Sequence, residues 1–138
     1  MEYTFFGKEA RFHHFGLAVR SIRAVCPSSE PIVESAQGVS LAFISLHGVT
    51  LELLEPFGDN SHIQRSLESG TKLLHLSFEV PTLDDALKSC RPHGFHPIRG
   101  PEPAAVFDNR RIVWVFSKHY GLFELVEQVQ KAEPESKP

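Results

Sequence analysis

No run in this sequence is apolar for the roughly 20 residues that a membrane-crossing helix needs, so the membrane is not an expected partner. Basic clusters are missing as well. Lys and Arg number 14 against 17 Asp and Glu, a formal charge of −3, and only Arg110-Arg111 suggests a local anion site. Nucleic acid is therefore not expected as a partner either. Cysteine is scarce. Cys26 and Cys90 lie far apart with no CxxC spacing, which predicts reduced thiols in a cytoplasmic protein rather than a disulfide frame. The N-terminus carries Glu2, Lys8 and Glu9 with no apolar core between them, unlike a secretory signal.

What is present is apolar material, 41% of 138 residues, enough for one domain or two small modules sharing a core. Histidine stands out, with eight copies. Leu73 to Val80 alternates at a period of two, with Leu74, Leu76, Phe78 and Val80 on one face and His75, Ser77 and Glu79 with Leu73 on the other. That is a strand with one apolar and one chemical side. Arg11 to Val19 alternates in the same way. It places Phe12, His14, Gly16 and Ala18 on one face, and His13, Phe15, Leu17 and Val19 towards the presumed core.

Met1 to Ala10 reads as an arm of uncertain structure. Ser21 caps a short helical turn that Pro27 ends, and Ser28 to Ala36 is a loop or weak edge segment. Val39–Leu46 and Val49–Glu55 form a hairpin across His47-Gly48. Ser61 caps a short helix to about Glu68, stopped by Gly70. Thr82 caps a helix from Leu83 to about Arg91, with Asp84 and Asp85 at its positive end. Phe95 to Ile98 is a brief strand, Gly100 to Ala105 a loop, and Trp114 most simply a core residue. Arg111–Phe116 and Leu122–Val129 form a second hairpin, and 130–138 is expected to be a disordered tail.

The halves echo each other. His14 followed by Ala18-Val19 and Ser21 matches His75 followed by Glu79-Val80 and Thr82. A His-Gly turn leads into Leu51-Glu52-Leu53-Leu54-Glu55, and a His-Tyr-Gly turn leads into Phe123-Glu124-Leu125-Val126-Glu127. Glu52 and Glu124 occupy equivalent places. Glu55 and Glu127 fall on the opposite face, nearer the strand ends and within reach of water. If the halves pack about a pseudo-twofold axis, His14, Glu52, His75 and Glu124 converge. Two imidazoles and two carboxylates suit a divalent ion of borderline or hard character, Zn, Co, Ni, Mn or Fe(II).

His14-Phe15-Gly16-Leu17-Ala18-Val19, Gly48 to Pro56, His75 to Val80 and Gly121 to Glu127 together resemble the vicinal oxygen chelate superfamily, which groups glyoxalases, bleomycin resistance proteins and dioxygenases. Within it they look most like the methylmalonyl-CoA epimerases, with glyoxalase I as a cousin. The similarity covers roughly Phe12 to Gln128. It implies an α+β fold of paired βαβββ modules, about 11–57 and 72–129, whose mixed sheet curls around a metal-binding cleft. It also implies His14, Glu52, His75 and Glu124 as ligands, and proton transfer beside a carbonyl or thioester, shuttled by Glu124 or Glu52. An acyl-CoA is then the expected substrate.

The 17 residues from 20 to 36 are fewer than that pattern usually holds, so the first module is abbreviated, with one wall of its cup missing or supplied by a second subunit. A homodimer is expected on that account. Phe107 lines an apolar pocket or packs in the core. Alternatives are a glyoxalase I-like lyase, an extradiol-type dioxygenase, against which a fourth ligand at Glu52 argues, and a non-catalytic binding or resistance protein of the same fold.

Overall fold

The structure, a computed structural model, describes residues 1–59 and 61–128. Val129 and the expected tail at 130–138 lie outside the described residues. Eight strands form one curled sheet: β1 (Arg11–Ala18), β2 (Ile32–Glu34), β3 (Val39–Leu46), β4 (Val49–Pro56), β5 (Leu73–Val80), β6 (Phe95–Ala104), β7 (Arg110–Ser117) and β8 (Gly121–Glu127). Among the described residues three α-helices accompany them, α1 (Ile22–Val25), α2 (His62–Glu68) and α3 (Leu83–Cys90), besides three single-turn 3-10 helices. Among the described residues, no helix is long and apolar enough to cross a membrane.

The strand order β2-β3-β4-β1-β5-β8-β7-β6 is two βαβββ modules joined at β1 and β5. Within each module the first strand runs parallel to the last, β1 to β4 and β5 to β8. At the joint, β1 and β5 run antiparallel, and the ladder is itself pseudo-twofold. His14 pairs with Ser77 and Gly16 with His75; Phe12 pairs with Phe78 and Leu17 with Leu73. His14 and His75, 61 residues apart, thus sit on either side of one local axis.

Each module packs its helix on the outer face. Leu83, Ala86, Leu87 and Cys90 recur at helical spacing on α3 and join Val80, Phe95, Val113, Val115 and Leu125 in one core. Four-residue α1 is too short to persist alone. Fully buried Ile22 anchors it against Ala42 and Leu53, a burial that contributes about 1.5–3 kcal/mol. The inner face of the first module carries Ala18, Val39, Leu41 and Leu54 beneath Ile63 and Leu67 of α2. Cys26 and Cys90 are both free.

The duplicated capping is closer than the sequence pattern suggests. The Ser21 hydroxyl accepts from the Ala24 N–H and the Thr82 hydroxyl from the Asp85 N–H, each at 3.2 Å. Glu55 accepts from the Ile22 N–H at 2.7 Å, and Glu127 accepts from the Leu83 N–H at 2.9 Å. The second glutamate of each Glu-Leu-aliphatic-Glu therefore ties a helix start to the sheet. Both are half-buried rather than left to water at the strand ends.

Several expectations are corrected. A bulge at His13 moves Phe12 off the His14 face, and Phe12 packs instead on Phe15 and Phe78 at 4.8 and 5.8 Å. The same irregularity turns His13 from the presumed core towards His14 and Phe107. A matching bulge leaves Leu74 unpaired between His75 and Leu73, and Leu74 packs with the inner-face cluster of the first module. β6 continues through 100–104, where a loop is expected from its prolines. Pro97, Pro101 and Pro103 are tolerated because β6 is an edge strand, paired only with β7 and with two shifts of register. The N-terminal arm is not idle: Phe6 is buried against Phe78, Phe95 and Phe123. The first module is abbreviated as expected, with four residues in α1 and three in β2, yet α2 of the same chain covers its inner face.

Candidate metal centre

Parity and pairing bring four side chains to the floor of the cup. His14 and His75 come from the central ladder, and Glu52 and Glu124 from β4 and β8 beside it. His14 is 0% exposed, Glu124 3%, Glu52 4% and His75 5%, so His14 is closed off from solvent while the other three keep only the small surface they turn to the cavity. His14 Nε2 lies 3.3 Å from Glu52 Oε1 and 3.3 Å from Glu124 Oε1. His75 Nε2 lies 3.4 Å from Glu52 Oε1 and 3.4 Å from His14 Nε2. One ligand atom each from His14, Glu52 and His75 falls within 4.8 Å of the others, a grouping that could hold a metal ion. Glu124 joins it through His14 and is held by the Ser77 hydroxyl, which donates to Oε1 at 3.0 Å.

Two buried carboxylates require compensating positive charge. Without a metal, His14 supplies it. Burial opposes its charge, but hydrogen bonds to Glu124 and Glu52 prevail and raise the imidazole to about 9. For Glu52, burial pushes upward while hydrogen bonds from His14 and His75 hold the carboxyl well below its usual range. A divalent ion answers the same demand: two imidazole nitrogens and two carboxylates are the donor types that Zn, Co, Ni, Mn and Fe(II) accept. The donor set fits such an ion.

Above the floor is an apolar cavity of about 340 Å³. Leu41, Leu54 and Ile63 line one side and Phe107, Ile112 and Trp114 the other, while Glu34, His62 and Arg99 stand among its polar lining. Phe107 meets both expectations, lining the cavity while packing in a buried cluster with Ala104, Ile112 and Val126. Trp114 packs against the buried cluster of Ala104, Phe107, Ile112 and Val126, as expected of a core residue, and also lines the cavity. It is half-buried, pairs with Glu124 across β7 and β8, and meets the His75 ring edge-on at 4.7 Å.

Two aromatic neighbours escape the motif reading. Phe43 pairs with Glu52 across the first hairpin and meets the His14 ring at 5.5 Å. Trp114 is its counterpart in the second hairpin. The two-residue turn at His47-Gly48, with φ of 50° and 82°, was the available signal, since it fixes which β3 residue opposes Glu52. His13 is the third: its Nδ1 lies 2.7 Å from His14 Nδ1. Burial and the neighbouring His14 hold His13 below the ordinary imidazole range.

A family model described as the Glyoxalase/Bleomycin resistance protein/Dioxygenase superfamily matches residues 8–114. The mitochondrial methylmalonyl-CoA epimerase of Dictyostelium discoideum is 30% identical over 104 residues, 72% of this chain and 62% of that protein. The chain thus spans less than two thirds of that relative's length. Among solved structures, the methylmalonyl-CoA epimerase of Mycobacterium tuberculosis aligns with a TM-score of 0.71 at 20% identity, over 86% of this chain and 88% of that one. That likeness speaks to fold. A Streptomyces coelicolor methylmalonyl-CoA epimerase variant in complex with 2-nitronate-propionyl-CoA aligns with a TM-score of 0.66 at 25% identity, over 90% of this chain and 98% of that one.

Proposed function

The chain belongs to the glyoxalase/bleomycin resistance protein/dioxygenase superfamily, and from that premise we propose that it is a divalent-metal-dependent epimerase acting on an acyl thioester, with methylmalonyl-CoA the first substrate to test. The observation that carries the proposal is the convergence of His14, Glu52, His75 and Glu124 beneath one apolar cavity. The relatives whose names include methylmalonyl-CoA epimerase support the choice of reaction.

Inverting a stereocentre beside a carbonyl requires a proton to leave one face and return to the other. His14, Glu52, His75 and Glu124 would hold the ion, which when bound supplies Lewis-acid polarisation of the substrate carbonyl. Glu52 and Glu124 come from opposite halves of a pseudo-twofold cup. They are thus suited to exchange a proton with the substrate from opposite sides. Ser77 keeps the Glu124 carboxylate oriented by donating to Oε1. Leu54, Ile112 and Trp114 seat the acyl group and exclude water from the carbon that loses its proton.

Metal content before and after substitution tests this reading, together with deuterium wash-in across a panel of acyl-CoA compounds. Purified protein is expected to carry a divalent ion that both His75→Ala and Glu124→Ala lose, and to exchange the α-proton of at least one acyl-CoA. Unchanged metal content in both variants would overturn it. A second reading, a non-catalytic binding protein, draws on the four-residue α1 and three-residue β2. A metal-free protein that holds a small molecule without exchanging its protons would favour it. A homodimer is part of the proposal: edge strand β2 leaves Ile32 and Val33 48% and 51% exposed, and sedimentation decides it.

A further inference from the structure

We propose that His13 is a positioning residue for His14, accepting the proton on His14 Nδ1 and so turning the His14 Nε2 lone pair towards the floor of the cup. The inference rests on the metal-centre reading and goes beyond it. Consecutive side chains on a regular strand point to opposite faces, so His13 and His14 would ordinarily never meet. The bulge changes this. Phe12 pairs with Phe78 and His14 with Ser77, leaving His13 as the extra residue. The two Nδ1 atoms then come to 2.7 Å, with the rings inclined at 76°.

At that distance a single proton lies between the two nitrogens. His14 Nε2 faces Glu52 and Glu124. It can offer a lone pair to an ion only if the ring's remaining proton stays on Nδ1, where it is donated to His13. His13 Nδ1 must then be bare, with its own proton on Nε2. The setting of His13 holds its ring in place. Its ring stands edge-on to Phe107 at 5.5 Å and 88°, and Arg110, paired with Glu79 at 2.9 Å, reaches over the same Phe107 ring.

The second module contains the natural control. Its bulge residue, at the place equivalent to His13, is Leu74, which cannot accept a proton. His75 is instead packed against Trp114. One chain thus holds a histidine-backed ligand and a leucine-backed one, and the two imidazoles are not equivalent despite the symmetry of the backbone.

The test compares zinc affinity, by competition with a chelator, in the wild type, His13→Leu and His13→Asn. Leucine copies the second module, and the asparagine side-chain oxygen can still accept. His13→Leu is expected to bind zinc about 10–100-fold more weakly, and His13→Asn to recover most of the loss. Two-bond proton–nitrogen spectra of the wild type need no variant, and are expected to show His13 with an unprotonated Nδ1 and a protonated Nε2. Equal zinc affinity in His13→Leu, or a proton on His13 Nδ1, would overturn the inference while leaving the metal centre standing. A wild type that takes up no zinc would overturn both.

Discussion

Gly16 stands opposite His75 in the central ladder, so close that a Cβ on Gly16 would lie 2.2 Å from His75 Cε1 and 2.5 Å from its Nδ1. The hydrogen in place of a side chain is what lets the imidazole lie over β1 with its Nε2 on the floor of the cup. The pseudo-equivalent position is Ser77, opposite His14, whose hydroxyl serves Glu124 instead.

Gly16→Ala should therefore displace the His75 ring. Overpacking at such a site costs about 1–3 kcal/mol, while the backbone itself gains about 0.4–1 kcal/mol from losing glycine's freedom. The fold should survive with a modestly lowered midpoint in urea. Zinc affinity should fall at least about tenfold, as when a ligand loses its orientation. Wild-type zinc affinity in a folded Gly16→Ala protein would show that His75 is not held where the ladder places it.

Metal uptake should depend on pH through His14. Its folded-state value is raised from 6.5 to about 9, so in the metal-free protein the charged ring stabilises the fold fully below 6.5, and that contribution fades as pH rises through about 9. An ion must displace this proton. Apparent affinity should climb between pH 6.5 and 9 with close to one proton released per ion, then level off. Glu52 carries the opposite sign. With its folded value lowered, its stabilisation is present above 4.5 and is lost as the solution becomes acidic enough to protonate it. Calorimetric titration in buffers of different ionisation enthalpy reads the proton count, and an affinity flat across that range would contradict the assignment.

Period-two alternation and the internal echo were enough to bring His14, Glu52, His75 and Glu124 to one place, because each sits on a strand whose two faces differ in polarity. The same alternation failed at His13 and Leu74. A bulge shifts every preceding side chain to the other face, and nothing in the composition of Phe12-His13-His14 marks one. For Trp114, packing against the core is legible in its hydropathy, but its place beside the site depends on opposing Glu124 across the second hairpin, a matter of register. β6 was hidden by prolines that only an edge strand tolerates.

The outer-face glutamates should matter for stability and not for the site. Glu55→Ala removes the acceptor for the Ile22 N–H and leaves the start of α1 tied only through Ser21. A loss of about 1–2 kcal/mol is expected from a charge-assisted hydrogen bond of this kind. Glu127→Ala removes the acceptor for Leu83 and also the pairing with Arg111, with a loss of similar size. Zinc affinity should not change in either variant. A metal defect in these proteins that persisted at full folding would show that the helix starts and the cup floor are mechanically linked.

Trp114 should report the chemistry directly, since it is the only tryptophan of the chain and its ring centroid is 4.7 Å from that of His75. A paramagnetic ion such as Co(II), bound between the histidines and glutamates, would lie close enough to quench the indole's emission. Zn(II), with a filled d shell, should compete without quenching. The expected result is a saturable loss of fluorescence on adding Co(II), reversed by excess Zn(II) and absent in His75→Ala. An acyl thioester entering the apolar cavity should shift the emission to shorter wavelength, because it replaces water beside the same ring. Quenching that survives unchanged in His75→Ala would place the ion elsewhere on the protein. A wavelength shift without any metal response would favour the binding reading over the epimerase, because the cavity would then be filled and its floor left without the ion that the proton transfer requires.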